Sequence, residues 1–152
     1  MMKFRILALI GIVFSFASAS FADEKQISTG FFSNKAVSGY DTVAYFTDSK
    51  AVKGKKKFKT EYQGADWFFA SQENLDFFLK EPEKYAPQFG GYCAFGLAMG
   101  HAVSSDPQQW KIVDGKLYLN YNAGVKERWE ENIPELIADA ISEYPKVIGP
   151  YK

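Results

Sequence analysis

The sequence predicts a small α+β domain, and three observations lead to this prediction. Residues 57–62 alternate apolar and charged side chains, which is typical of a half-buried strand. Asp114-Gly115 stands between two apolar-rich runs, which is the composition of a tight β-hairpin. Residues 133–144 follow a 3.6-residue apolar period, as an amphipathic helix does. Because strands and helices do not alternate strictly, we expect small antiparallel hairpins, a central short helix and C-terminal helices.

The first half of this pattern predicts a hairpin followed by the short helix. Residues 64–66 predict a turn after the first strand, and residues 67–70 predict its partner strand. Ser71 is a good N-cap residue for the helix. The apolar stripe of that helix is predicted from Leu75, Phe78 and Leu79.

The second half predicts another hairpin and the terminal helices. Residues 110–113 and 116–119 are its two strands, and Val125 and Trp129 stand one helical turn apart after it. Pro134 fits the first position of the last helix, and Pro145 is predicted to end it. The lysine-rich residues 53–57 are predicted to form a solvated loop rather than a binding site.

The N-terminus has the features of a secretory signal peptide. Lys3 and Arg5 precede an apolar run, and small residues follow it up to Ala22. The run is too short to span a bilayer, which takes about 20 apolar residues. We therefore expect a periplasmic or secreted protein, cleaved after Ala22 in preference to Ala19, with no lipid anchor and no stable membrane span. The predicted organisation is a signal peptide (1–22), an N-terminal extension (23–36), one domain (37–145) and a tail (146–152).

Charge and cysteine content exclude several classes of protein. The 18 basic and 18 acidic residues of the whole chain become 16 and 18 without the leader, which argues against nucleic-acid binding. Cys93 stands alone, so no intramolecular disulfide can form. An aromatic content of 17% indicates that a packed core stabilises the fold instead.

Several short strings together resemble the YHS-domain family, in its longer exported form. They lie between about residues 37 and 144, and are SGYDTVAYF at 38–46, YQG at 62–64, WFFAS at 67–71, PEKYAP at 82–87, GGYCA at 90–94 and LYLN at 117–120. The resemblance implies a small binding module, because short members of the family accompany heavy-metal transporters. It also implies metal-ligating cysteines at three positions, where this chain has Ala44, Ala70 and Asn74. That thiolate set is missing, so a bound metal would need other ligands.

Cys93, Met99 and His101 are the candidate metal ligands that remain. Thiolate, thioether and imidazole suit copper(I), and Cys with His also suits zinc. The three residues lie within nine positions that include Gly96 and Gly100, so a bent backbone could bring them together. The residues therefore predict a site for copper or another transition metal. The alternative is that Cys93 and Met99 only pack in the core and that His101 lies at the surface.

Two other interpretations of these segments stay open. Cys93 could be a redox-active thiol, although no second cysteine is present to resolve an oxidised sulfur. Aromatic residues beside the glycine-rich turn could instead line a site for a small organic ligand or a protein partner of unknown identity, or simply form the core. These residues are Tyr40, Tyr45, Phe46, Trp67, Phe68, Tyr85, Tyr92 and Phe95.

Enzyme motifs are largely missing from the sequence. It contains no HExxH, CxxCH, GxxxxGK[ST] or GxSxG string. Asp41 is the carboxylate of most interest, and we expect it to cap the turn at residues 42–46. The sequence therefore predicts a non-enzymatic binding protein without catalytic residues.

Overall fold

Two antiparallel hairpins and a set of short helices form the part of the chain that the computed structural model describes, residues 25–149. The signal peptide predicted for residues 1–22 lies outside these residues. In chain order the elements are α1 (Ala44–Thr47), β1 (Lys55–Tyr62), β2 (Ala65–Phe69), α2 (Gln72–Lys80), α3 (Pro82–Tyr85), α4 (Ala94–Ala98), β3 (Asp106–Val113), β4 (Lys116–Asn120), α5 (Ala123–Glu130) and α6 (Ile133–Val147). Single 3-10 turns form at Val37–Gly39 and Gln88–Gly91. The predicted α+β class is confirmed.

The first hairpin pairs β1 with β2. Gln63 and Gly64 form its turn, and both have positive φ, 48° and 73°. The turn predicted at residues 64–66 is therefore misplaced, because two left-handed residues make a two-residue primed turn and Ala65 already belongs to the partner strand. The strand also begins earlier than expected, at Lys55, so most of the lysine run lies in a strand and not in a loop.

The second hairpin pairs β3 with β4, as predicted. Asp114 and Gly115 form its turn with φ of 50° and 74°, the left-handed pair that Asp-Gly favours. The register shifts between Asp106 and Trp110, which marks a bulge in the first part of β3. Leu117, Tyr118 and Leu119 are buried, so the outgoing strand belongs to the core.

The helices follow the sequence pattern with two exceptions. Ser71 caps α2 through a 3.1 Å hydrogen bond from the Asn74 amide, and Leu75 and Phe78 are buried as predicted. Leu79 was wrongly assigned to the apolar stripe, since it points to solvent on a helix of only nine residues. Pro145 does not end α6, because the helix continues to Val147. A proline in the last turn removes one hydrogen bond without preventing the final one, from Ile148 to Tyr144.

The core forms three neighbouring clusters. The largest joins the first hairpin, α2 and the inward side of β4. In it the ring centroid of Phe78 lies 5.0 Å from that of Trp67 and 5.0 Å from that of Phe69. The other two join α4 to α6, and Tyr118 to Trp129 of α5. Residues 25–36, predicted as an extension, contribute Ile27 and Ala36 to the largest cluster. None of the helices within residues 25–149 is long and apolar enough to cross a membrane.

Candidate functional site

Asp41 lies at the centre of a buried hydrogen-bond network. Its side chain is fully buried, and one carboxylate oxygen accepts hydrogen bonds from the amides of Val43 (2.9 Å) and Ala44 (3.2 Å). An aspartate that accepts these bonds two and three residues ahead caps the turn that leads into α1, whose own N-cap residue is Val43. The predicted capping role of Asp41 is confirmed.

The second oxygen of the same carboxylate reaches a distant part of the chain. It accepts hydrogen bonds from the amide of Ala70 (2.8 Å) and from the side-chain nitrogen of Asn74 (2.7 Å). Ala44, Ala70 and Asn74 are the three positions at which the family resemblance implies cysteines. The structure thus gathers all three around one carboxylate, an arrangement that we call the Asp41 node.

The Asp41 node connects three elements through hydrogen bonds. Its four hydrogen bonds attach the loop before α1 to the end of β2 and to the first turn of α2. Four donors around one buried carboxylate compensate the cost of removing its charge from water. Chemically the node is a structural element, since its four donors are protein groups and residues 44, 70 and 74 supply no thiolate.

Cys93 and Asn120 form a second buried polar contact, which we call the Cys93 node. The Cys93 side chain is only 1% exposed, and its Sγ accepts a hydrogen bond from the Gly96 amide at 3.3 Å, which caps α4. The thiol lies 3.7 Å from Oδ1 of Asn120, and that oxygen also accepts the Phe95 amide at 3.2 Å. Within the described residues, Nδ2 of Asn120 is buried without a hydrogen-bond partner.

The other two predicted metal ligands lie in a different environment from Cys93. Met99 is 49% exposed at the end of α4, and His101 is exposed two residues later, beyond Gly100. The backbone amide of His101 donates to the Gly96 carbonyl, so the segment folds back on α4. No group of three or more His, Cys, Asp or Glu side chains suited to a metal ion occurs among residues 25–149. The set Cys93, Met99 and His101 stays a prediction.

A cleft opens beside the glycine-rich turn. It has a volume of about 470 Å³, and its lining combines apolar side chains, two amides and one carboxylate. The lining residues are Ile27, Tyr62, Gln63, Glu83, Ala86, Pro87, Gln88, Phe89 and Gly90. Phe89 and Gly90 are both left-handed, with φ of 57° and 62°. The N-terminal segment crosses so closely that a Cβ on Gly90 would lie 1.9 Å from the Gln26 carbonyl oxygen.

None of the eight aromatic residues predicted to form a wall lines this cleft. Tyr45, Trp67, Phe68, Tyr85 and Tyr92 are all buried and belong to the interior. Burial also raises the pKa of Tyr45 far above its ordinary value, and its hydroxyl donates to the Pro107 carbonyl at 2.8 Å. These five aromatic residues therefore stabilise the fold, in agreement with the alternative that the aromatic residues form the core.

Comparison with known proteins identifies the domain. Residues 43–89 match the family model of the YHS domain. This chain carries a YHS domain. The matched region contains Ala44, Ala70 and Asn74 and most of the cleft lining, and it ends before Cys93. The YHS domain is associated with metal binding, with no particular metal assigned to this chain. A search of curated proteins and a search of solved structures each gave no match.

Sequence reasoning named every member of the Asp41 node but did not place them together. The sequence predicts Asp41 as a cap, and the family resemblance implies missing cysteine ligands at the other three positions. One signal could have joined them: the amide side chain of Asn74 stands where the YHS pattern implies a thiolate, and an amide that is partly removed from water needs an acceptor. The cleft had no comparable signal, because its lining comes from residues spread between 27 and 90.

Proposed function

We propose that this protein is an exported, non-enzymatic binding module of the YHS type that works without a metal at its family's cysteine positions. The Asp41 node carries this proposal. Carboxylate hydrogen bonds to residues 44, 70 and 74 occupy the place where three thiolates would meet. Soft metals such as copper(I) bind thiolate and thioether ligands, and an alanine pair with an asparagine offers neither.

The cleft beside the glycine-rich turn is the proposed ligand site. Its volume of about 470 Å³ lies within the range of small-molecule sites, about 300–1,000 Å³. Tyr62, Pro87 and Phe89 offer apolar and aromatic contacts, while Glu83 places one carboxylate at the wall. This combination fits a small organic molecule with an apolar or aromatic body and an amine or another hydrogen-bond donor.

The test uses an aromatic amine, phenethylamine, as the probe. Its binding is followed by ligand-observed NMR with the native protein, Glu83→Gln and the control Glu73→Gln, whose exposed carboxylate lies on α2 outside the cleft. We expect saturable binding that weakens about tenfold in Glu83→Gln, since removing the partner of a charged hydrogen bond costs roughly 1.5–3 kcal/mol. Glu73→Gln should bind like the native protein. Absence of saturable binding, or equal loss in both variants, would contradict a ligand site in this cleft.

Transition-metal binding, copper first, is the second candidate function. Met99 and His101 favour it, because both side chains are exposed and only Gly100 separates them. Cys93 would have to give up the Gly96 hydrogen bond and turn its buried sulfur outward to complete the set. This rearrangement is the reason that we rank the metal function second.

Native mass spectrometry of the reduced protein with copper(I), with zinc(II) and without metal tests this second candidate. Cys93→Ala and His101→Ala are measured beside the native protein. A one-metal adduct that both substitutions abolish would establish a metal site formed by Cys93 and His101. An adduct that neither substitution changes, or no adduct at all, would reject it.

A further inference from the structure

The most exposed apolar side chains of the described chain are two neighbouring phenylalanines. Phe31 and Phe32 are 94% and 95% exposed, and their rings make an edge-to-face contact at 4.8 Å. They lie at the tip of a loop closed by the bridge between Thr29 and Ala36, and the Ser33 amide donates to the Gly30 carbonyl within it. We call residues 29–36 the Phe loop. An adjacent pair of fully exposed aromatic rings has no role in the core and indicates an interaction site.

Charge is distributed very unevenly along the described chain. Residues 25–59 contain eight lysines against two aspartates, a net charge of +6, and one of these aspartates is the buried Asp41. Residues 60–149 contain seven basic and fourteen acidic residues, a net charge of −7. The balanced charge of the whole chain conceals this asymmetry. A basic segment of this kind favours an anionic partner or surface.

Specific contacts place lysines around the Phe loop. Lys25 donates to the Thr29 hydroxyl at 3.1 Å, at the base of the loop. Lys35 lies within the loop and pairs with Asp66 through a backbone β-bridge, while the Asp66 carboxylate forms an ion pair with Lys59 of β1 at 3.2 Å. The exposed Lys55, Lys56 and Lys57 lie at the start of β1, at the end of this strand away from the turn that the Phe loop contacts. The two rings therefore project from the segment of the described chain that carries the net positive charge.

We propose that the Phe loop docks this protein onto an anionic lipid bilayer surface. Aromatic side chains that enter the interface, flanked by lysines that attract anionic headgroups, are the two components of peripheral membrane binding. The lysines decide between a bilayer and a protein partner, because lysine is depleted in protein–protein interfaces while aromatic residues are enriched. The rings are at a protruding loop tip, and inserting them leaves the cleft and the Asp41 node untouched.

Vesicle co-sedimentation tests the proposal. The protein is purified as the producing cells process it, and its N-terminal residue is determined by intact-mass spectrometry. Vesicles of phosphatidylcholine alone are compared with vesicles that also contain phosphatidylglycerol. We expect binding to the anionic vesicles that falls with rising salt, and a loss of about a hundredfold in the double variant Phe31→Ser/Phe32→Ser, at roughly tenfold for each buried ring. Thermal unfolding should be unchanged in this variant, since neither ring packs on the core.

Two matched controls distinguish vesicle binding by the Phe loop from non-specific hydrophobic or electrostatic binding. Leu79→Ser/Ile141→Ser removes two exposed apolar side chains from the acidic part of the chain and should leave vesicle binding unchanged. Lys55→Gln/Lys56→Gln/Lys57→Gln should weaken binding to anionic vesicles, whereas Lys80→Gln/Lys116→Gln/Lys146→Gln should not. Binding that the phenylalanine variant retains and that heparin competes away would overturn the proposal in favour of a simple polyanion surface. Failure to bind vesicles, with a mass in solution that changes in the phenylalanine variant, would overturn it in favour of contact between two copies.

Discussion

The two buried polar nodes of this protein differ in how completely their hydrogen bonds are satisfied. At the Asp41 node a carboxylate accepts four hydrogen bonds of 2.7–3.2 Å from residues up to 33 positions away. At the Cys93 node the sulfur accepts the Gly96 amide at 3.3 Å and donates to Oδ1 of Asn120 at 3.7 Å, and Nδ2 of Asn120 has no partner among the described residues. The first node is closed, and the second is incomplete.

This difference shows how residues 44, 70 and 74, where the family resemblance implies cysteines, are joined in this chain without thiolates. Three thiolates on a metal would join residues 44, 70 and 74, and here one carboxylate joins the same positions. A charged acceptor with several donors can connect distant segments because each charge-assisted bond is about twice as strong as a neutral one. The Cys93 node connects fewer groups, so we expect the fold to depend on it less.

The largest expected effect is that of Asp41→Ala. Removing the carboxylate leaves four buried donors without an acceptor, which we expect to lower the free energy of unfolding by about 3–5 kcal/mol. Urea unfolding followed by tryptophan fluorescence measures the change. The exposed Asp48→Ala serves as the control and should lie within about 0.5 kcal/mol of the native protein. A loss below about 1 kcal/mol for Asp41→Ala would show that the node does not support the fold.

Gly90→Ala tests the turn that leads into the Cys93 node. The new Cβ would meet the Gln26 carbonyl oxygen at 1.9 Å, so the N-terminal segment must move, and we expect a loss of about 2–3 kcal/mol. Gly64→Ala is the matched control, since Gly64 also has a positive φ, 73°, but its Cβ would meet nothing within 4 Å. Its cost should be about 1 kcal/mol, from the left-handed conformation alone. Equal losses of unfolding free energy in the two variants would mean that the segment at Gln26 moves away from the new Cβ at no cost.

Asn120→Ala should cost less than Asp41→Ala, at about 1–2 kcal/mol. The substitution removes the acceptor of the Phe95 amide, but it also removes a buried amide nitrogen that has no partner. Urea unfolding again gives the comparison, with Cys93→Ser as a companion that we expect to change stability by less than about 1 kcal/mol. If Asn120→Ala proved as damaging as Asp41→Ala, the contrast between the nodes would be wrong.

Tyr45 links α1 to β3 and gives the smallest expected effect. Its hydroxyl donates to the Pro107 carbonyl, and burial raises its pKa in the folded state above the unfolded value of about 10. The folded protein therefore holds this proton more tightly. The resulting stability is fully present below pH 10 and is lost as the pH rises above 10.

Unfolding free energies measured between pH 8 and 11 check this sign. The native protein should lose stability above pH 10, and Tyr45→Phe should show a flatter profile after an initial cost of about 1 kcal/mol for the lost hydrogen bond. Tyr118, whose pKa burial also raises, contributes equally in both proteins. Identical profiles for the two proteins would contradict the buried, protonated state of Tyr45.

Local signals in the sequence were sufficient for the hairpins and most helix boundaries. Asp114-Gly115 and Ser71 each determine their own turn or cap through neighbouring residues, so the pattern could be interpreted directly. Leu79 and Pro145 were misjudged because the end of a short helix depends on packing and on the few hydrogen bonds left there. The Asp41 node depends on contacts between residues 41, 70 and 74, which no periodicity records.

The most direct test of the metal-free Asp41 node is the unfolding free energy with and without metal. The native protein is compared with Ala44→Cys/Ala70→Cys/Asn74→Cys, in chelator and in excess copper(I) or zinc(II). A metal that binds only the folded state stabilises it by about 2.7 kcal/mol at a hundred times its dissociation constant. We predict no metal-dependent change for the native protein and a clear stabilisation of the triple variant. Metal stabilisation of the native protein that persists in Cys93→Ala would contradict the account.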